Sequence, residues 1–338
     1  MKALVYEGPF QMTLREIEEP QPTSDDVIVR VKASGICGSD VHGFKGATGR
    51  RKPPIVMGHE FSGEIIAIGD NIKDYQVGDR VVVQPLLSCG ICESCLAGTP
   101  NICMNRSGLG MNLNGAFAEK VRVPQKMLYR LPSAMTWEQG AMIEPLSVAM
   151  HAVNLAPFQL MDSVIIIGAG TIGLLVILAA LMKGAGKLIV VDLNKRRLEI
   201  ARKLGADLII NSQEEDTLSI VKKYTNQAGA STVIEAVGIT PTAKQSLTLA
   251  RNGGTVIWIG NSNPEVTINM QQIVTRELTV RGVYGFNREF SRAIEAIRFG
   301  KVDIQPLVEK ITSLEEGPQI IQKLATGELD YVKVLLKP

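Results

Sequence analysis

The sequence predicts an α/β protein in which a mostly-β region precedes a doubly wound parallel sheet. Two observations carry this. From about residue 160, β-branched apolar runs alternate regularly with helical stretches, whereas residues 1–150 read as short strands and turns. Where the alternation starts, Val164-Ile-Ile-Ile-Gly-Ala-Gly-Thr-Ile-Gly173 joins one apolar run to the next through three glycines. That pattern is a strand, a tight turn and a helix start. Gly168 permits the turn, Gly170 lets a pyrophosphate approach the backbone, and Gly173 lets helix and strand pack closely. The helix N-terminus, with Thr171 and Ile172 in its first turn, offers unpaired N–H groups and partial positive charge to phosphates. Leu188-Ile-Val-Val191 then ends in Asp192, about 20 residues on, where a carboxylate takes ribose hydroxyls. A dinucleotide suits this turn; glycines in a purely structural strand–helix turn are the alternative.

Length alone, 338 residues, favours two domains over one. In the first, β-type runs are expected at 3–6, 26–33, 64–68 and 80–84, with Gly-Asp turns at 69–70 and 78–79, and a further strand over 115–124. Glycines and a proline break any periodicity in the cysteine stretch, which reads as loop. A helix is expected over 135–155, carrying Glu144 and His151. In the second region strands are expected at 164–168, 187–192, 207–211, 231–237, 255–260 and 278–284. Helices are expected near 171–184, 195–204, 214–226 and 241–251. The ligand crevice of such a sheet lies at the strand C-termini. An amphipathic stretch at 288–299 leads to a β/α tail too small for its own core, so the tail should fold back onto the first domain.

A net charge of +2, with 45% hydrophobic and 21% charged residues, gives no reason to expect nucleic acid or an acidic membrane surface as partner. No apolar run approaches the roughly 20 residues of a membrane span. The N-terminus runs straight into a strand pattern without a cleavable signal, which makes a cytoplasmic location the expectation.

Four of the five cysteines, Cys89, Cys92, Cys95 and Cys103, follow a C-x2-C-x2-C-x7-C spacing. Without a secretion signal disulfides are not expected. Four close thiolates suit one tetrahedral zinc with every position closed; an iron–sulfur cluster is the competing reading. Elsewhere, Cys37-Gly-Ser-Asp-Val-His42 and Gly58-His-Glu60 offer sulfur, imidazole and carboxylate, joined by Glu144. Ser39 and His42 can pass a proton, and Asp40 can orient a ligating histidine. Such a mixed set with an open fourth position suits a catalytic zinc that polarises an alcohol or carbonyl. Each residue also has a plainer reading. Cys37 could be an inert buried thiol, His42 an ordinary surface histidine, Glu144 a helix-end charge, and Lys195-Arg-Arg197 a solvated helix face. His151, on an apolar helical face, reads as structural.

Taken in order, Cys37-Gly-Ser-Asp-x-His42, Gly58-His-Glu-Phe-Ser-Gly63, the four-cysteine lobe, Glu144-Pro-Leu-Ser147 and the glycine turn resemble the zinc-dependent medium-chain alcohol dehydrogenases. Within that family the chain is most similar to the polyol (sorbitol-type) and threonine dehydrogenase branches. The resemblance implies a GroES-like catalytic domain over 1–153, with a structural zinc lobe at about 86–106. A Rossmann domain would be inserted at 154–287, and 288–338 would complete the catalytic domain. It further implies two zinc ions: a catalytic one on Cys37, His59, Glu60 and Glu144, and a structural one on Cys89, Cys92, Cys95 and Cys103. NAD would lie along Gly168, Gly170, Thr171, Ile172, Gly173, Asp192, Arg197, Val237 and Ile259.

The implied reaction is hydride transfer from a secondary alcohol (a polyol, a diol or a similar small metabolite) to NAD, in a homotetramer or homodimer. Ser39 would take the hydroxyl proton toward His42. L-threonine 3-dehydrogenase activity is the rival. Gly285 stands where the mammalian sorbitol enzymes carry an arginine for polyol hydroxyls, and Gly282-Val-Tyr-Gly285 leans toward the threonine branch. A zinc-free quinone reductase, or a non-catalytic nucleotide-binding descendant, would not need Cys37, Ser39, His42 and His59 together.

Overall fold

Strand Asp26–Ile36, buried along most of its length, is the spine of the first of two units. The computed structural model describes residues 1–47, 49 and 51–338. The first unit comprises Met1–Glu144 and Phe290–Pro338, and the second Pro145–Glu289. In the first, Glu60–Ile68 pairs antiparallel with one edge of the spine, and Lys120–Pro124 pairs with its opening residues. The last strand, Lys333–Lys337, pairs antiparallel with the spine, so that Val334 faces Ile36 and Leu336 faces Ser34. Val308–Ser313 lies parallel beyond it. The tail therefore does fold back, and it enters the sheet rather than covering it.

A smaller sheet of Gln11–Glu16, Lys2–Gly8 and Ile55–Val56 encloses a second core around Leu4, Tyr6, Phe44 and Phe117. Apolar side chains buried on both sides hold this unit together. At about 25 cal/mol per Å² of buried apolar surface, such cores are the main stabilising term.

The second unit is a six-stranded parallel sheet. Its order is Leu208–Asn211, Lys187–Asp192, Ser163–Ile167, Ala230–Glu235, Ala250–Trp258, Thr279–Gly282. The strand order reverses between Ser163–Ile167 and Ala230–Glu235, the topological switch point beside which open α/β sheets bind ligands. Ile165, Ile167, Ile189, Val191, Val233 and Val256 pack one face of the sheet, and Val164, Ile166, Leu188, Val190 and Ile234 are buried on the other, which is why these strands read as continuous apolar runs.

Two details depart from the expectations. The stretch 135–155 is two helices, Trp137–Ala141 and Ile143–Leu155. Pro145 lacks an N–H and its ring would clash with the carbonyl of Ala141, so the helix restarts with the proline inside its first turn. The units also part at 144/145 rather than 153/154. Helix Ile143–Leu155 goes with the second unit because its His151 and Asn154 both bond Glu289.

Candidate functional site

Helix Gly38–Phe44 is under two turns long, and its start is fixed by a capping box. The Ser39 N–H faces the Cys37 sulfur at 3.5 Å, while the Cys37 N–H donates to Asp40 Oδ2 at 3.0 Å. The thiol thus sits at the N-cap of the helix, held by its own backbone contacts. The same short helix leaves Ser39 exposed and His42 half-buried one turn on. Burial and Lys45 hold His42 below its usual range.

His59 and Glu60, at the start of strand Glu60–Ile68, come to the same place through pairing with the spine, which sets Glu60 opposite Gly35. One ligand atom each from Cys37, His59 and Glu60 lies within 4.8 Å of the others. Among the described residues, Glu144 is outside this converging set. It is buried close enough to feel its neighbours, however. Burial first, then the charges of Glu60 and Asp40, push its carboxyl up to about 8 against the opposing pull of His59 and Lys333. Asp40 Oδ1 stands 3.3 Å from His59 Nδ1. Burial would raise Asp40, but His59, Arg51 and the Cys37 N–H outweigh it and bring it down to about 2. Burial likewise opposes charge on His59, and Asp40 and Cys37 overcome it to raise its pKa well above the usual value.

Two residues here went unseen in the sequence. Lys333 is almost wholly buried, with Nζ 2.6 Å from Glu60 Oε2 and 3.1 Å from the Ile36 carbonyl. Arg51 is buried against Asp40. A lysine inside the apolar run 332–336 was the available signal for the first; the second sits in a basic run that reads as solvated. The donor set fits zinc. A thiolate, an imidazole and a carboxylate converge, the imidazole's far nitrogen faces a carboxylate, and His59 Nδ1 has no well-aligned hydrogen bond.

The cysteine lobe is built differently. Sulfur–sulfur separations are 3.5 Å (Cys89–Cys103), 3.5 Å (Cys92–Cys95), 3.7 Å (Cys92–Cys103) and 4.0 Å (Cys89–Cys95). Four thiolates at about 2.3 Å from one zinc stand about 3.8 Å apart, whereas a multi-iron cluster spreads its thiolates over different metal atoms. The spacing fits a single ion. The backbone N–H groups of Ile91 and Cys92 lead in drawing the Cys89 thiol down to about 6.

In the second unit, Gly170 caps helix Thr171–Lys183, which places Thr171 and Ile172 in its first turn. A Cβ on Gly173 would lie 1.8 Å from the Gly168 carbonyl oxygen, so only glycine lets helix and turn meet there. Asp192 closes its strand with Oδ2 accepting from Ala169 N at 2.5 Å and Oδ1 from Asn194 N at 2.8 Å, which holds the carboxylate beside the turn. The Arg197 guanidinium comes within 3.8 Å of the Cβ position of Gly170. Val237 packs a methyl group toward Gly168, and the Ile259 N–H donates to the Glu235 carbonyl. Both therefore flank the switch point. His151 takes no part: its Nδ1 is 3.1 Å from Glu289 Oε1.

Residues 23–133 match the alcohol dehydrogenase GroES-like domain, and residues 171–298 match the zinc-binding dehydrogenase family. The chain is similar to sorbitol dehydrogenase of Bacillus subtilis, at 34% identity covering 100% of this chain and 97% of the relative. It is also similar to L-threonine 3-dehydrogenase of the same organism, at 34% identity covering 100% and 99%. The crystal structure of galactitol-1-phosphate dehydrogenase from Escherichia coli superposes with a TM-score of 0.94 at 31% identity, covering 100% of both chains. With its site geometry, fold and full-length likeness in agreement, the chain belongs to the zinc-dependent alcohol dehydrogenase family of oxidoreductases.

Proposed function

We propose that the protein transfers hydride from a secondary alcohol on a small polyol or diol to NAD, and that it holds two zinc ions per chain. The observation that carries this is the convergence of Cys37, His59 and Glu60 beside an exposed Ser39. Cys37, His59 and Glu60 would hold the catalytic zinc, with Glu144 as the exchanging carboxylate. When bound, zinc acidifies the alcohol and NAD accepts the hydride. Ser39 receives the hydroxyl proton and passes it to His42. Held below its usual range, His42 is neutral at pH 7 and free to accept it. Asp40 fixes the tautomer of His59. Asp192 bonds the ribose hydroxyls and repels a 2′-phosphate, which favours NAD over NADP, and Arg197 softens that preference.

Cys89, Cys92, Cys95 and Cys103 would hold the structural zinc. A cytoplasmic homo-oligomer, dimer or tetramer, is our reading of the assembly. Strand Thr279–Gly282 lies at the end of its sheet and offers an edge for pairing with a second copy. The threonine reading rests on the Gly282-Val-Tyr-Gly285 pattern, while Gly285 in place of an arginine weighs against a long polyol bound as in the mammalian sorbitol enzymes.

A rate screen of sorbitol, xylitol, 2,3-butanediol, threonine and sugar acids, each with NAD and NADP and with metal counted per chain, tests the proposal. Two zinc ions and turnover of a polyol or diol are expected. Turnover of threonine alone would transfer the protein to the rival branch, and a metal-free active protein would overturn the reading.

A further inference from the structure

Arg51 donates three hydrogen bonds to three different backbone or side-chain oxygens, and two of the acceptors belong to residues already placed in the site. Its Nε donates to the Gly110 carbonyl at 3.0 Å, Nη1 to the Ser39 carbonyl at 2.8 Å, and Nη2 to Asp40 Oδ1 at 2.8 Å. The side chain is 4% exposed. Gly43 makes room for it, since a Cβ there would lie 2.5 Å from Nη1 and 2.8 Å from Cδ. The oxygen that Arg51 holds on Asp40 is the one facing His59 Nδ1 at 3.3 Å, and the other oxygen caps Cys37. One planar guanidinium thus governs the backbone of Ser39 and the carboxylate that touches two of the converging ligands.

We propose that Arg51 is a positioning residue of the catalytic zinc site. It fixes the Asp40 carboxylate so that His59 and Cys37 are aimed together, and it fixes Ser39 at the substrate hydroxyl. This rests on the zinc assignment made above. The role calls for arginine rather than lysine. A guanidinium reaches three acceptors at set angles, whereas an ammonium on a flexible stem keeps the charge and loses the fork. Residues that support metal ligands from behind typically contribute 10–100-fold to metal affinity.

The test is the rate at which zinc passes from the purified enzyme to a chromogenic chelator, together with the visible spectrum after cobalt substitution. Arg51→Met should speed release of the labile zinc roughly 10–100-fold. It should also shift the cobalt bands and lower kcat more than it alters KM for NAD. Arg51→Lys should fall between, and the slowly released lobe zinc should be unaffected. Gly43→Ala gives an independent route. It improves helix propensity and leaves Arg51 in the chain, but crowds the guanidinium, so it too should speed release.

Release rates and cobalt spectra within twofold of the parent in Arg51→Met would overturn the proposal. If Arg51→Met does not fold, the same result in Gly43→Ala would do so. A parent protein with only one zinc, held by the cysteine lobe, would instead refute the catalytic-zinc reading beneath it, so the two failures are told apart.

Discussion

The two candidate metal-binding groups of this chain are assembled by opposite means. Cys89, Cys92, Cys95 and Cys103 lie in one short stretch, where turns, the helix Glu93–Leu96 and the 3-10 turn Pro100–Ile102 bring their sulfurs within 3.5–4.0 Å along the four measured edges. Cys37, His59 and Glu60 come from a helix cap and a strand start, and behind them stand Asp40, Arg51 and Lys333. A closed set of four like ligands needs little help to stay in place. An open set of three unlike ligands needs other side chains to aim each one, and so it draws on distant sequence.

The largest expected effect sets the two sites against each other in lability. A brief pulse of chelator should remove activity to below ~1% of the starting rate by emptying the open site, while the melting temperature and the lobe's zinc persist. Simultaneous loss of both zinc ions would erase the distinction. Next, Ser39→Ala should lower kcat by about 10²–10⁴-fold with NAD affinity intact. Cys95→Ser, in contrast, should lower thermal stability and leave kcat of the folded fraction within about twofold. An unchanged kcat in Ser39→Ala, measured where the chemical step limits the rate, removes Ser39 from the proton path.

Lys333→Met leaves the Glu60 carboxylate buried without its partner. This should cost the zinc-stripped protein roughly 3–5 kcal/mol in denaturant unfolding. The zinc-loaded protein should lose less, because the metal supplies the missing positive charge. Equal losses in both forms would mean that Glu60 does not face the metal.

The smallest effect is a control within the second unit. Burial opposes the charge on Glu289, but His151, the Asn287 N–H and Asn154 together lower it from 4.5 to about 2. A depressed carboxylate adds stability above its ordinary pKa and forfeits it as pH falls from about 4.5 through about 2. Glu289→Gln should therefore flatten the acid side of the stability curve with no change in zinc content. A curve of parental shape in that range would show that the pair contributes nothing.

What the sequence disclosed divides along the same line. The lobe, the glycine turn and the alternation of the second unit are local patterns, and the strands fall within a few residues of where they were expected. The helix expected over 135–155 is two, parted just before Pro145. Strand Gln11–Glu16 and helix Gly38–Phe44 left little trace, the second because under two turns show no period. A lysine in an apolar run marks Lys333 as unusual, but the sequence does not show what it meets. Its burial depends on Val334 lying opposite Ile36, a pairing that exists only in the folded sheet. Glu144 is expected among the ligands; it is buried where the charges of Glu60 and His59 reach it, but its oxygen lies outside the converging set.

The pairing of Lys333–Lys337 with Asp26–Ile36 also bears on synthesis. Lys333 bonds the Ile36 carbonyl across 297 positions of sequence. A nascent chain that has already exposed Cys37, His59 and Glu60 must wait for the whole Pro145–Glu289 unit to be translated before Glu60 gains its counter-ion. Until then the three ligands lie on an incomplete sheet with an open edge, and the lobe, finished within one loop, is ready for metal long before. On the two-zinc reading proposed above, the lobe's ligand set is complete early in translation, and the set around Glu60 gains its buried counter-ion only after the final strand has paired.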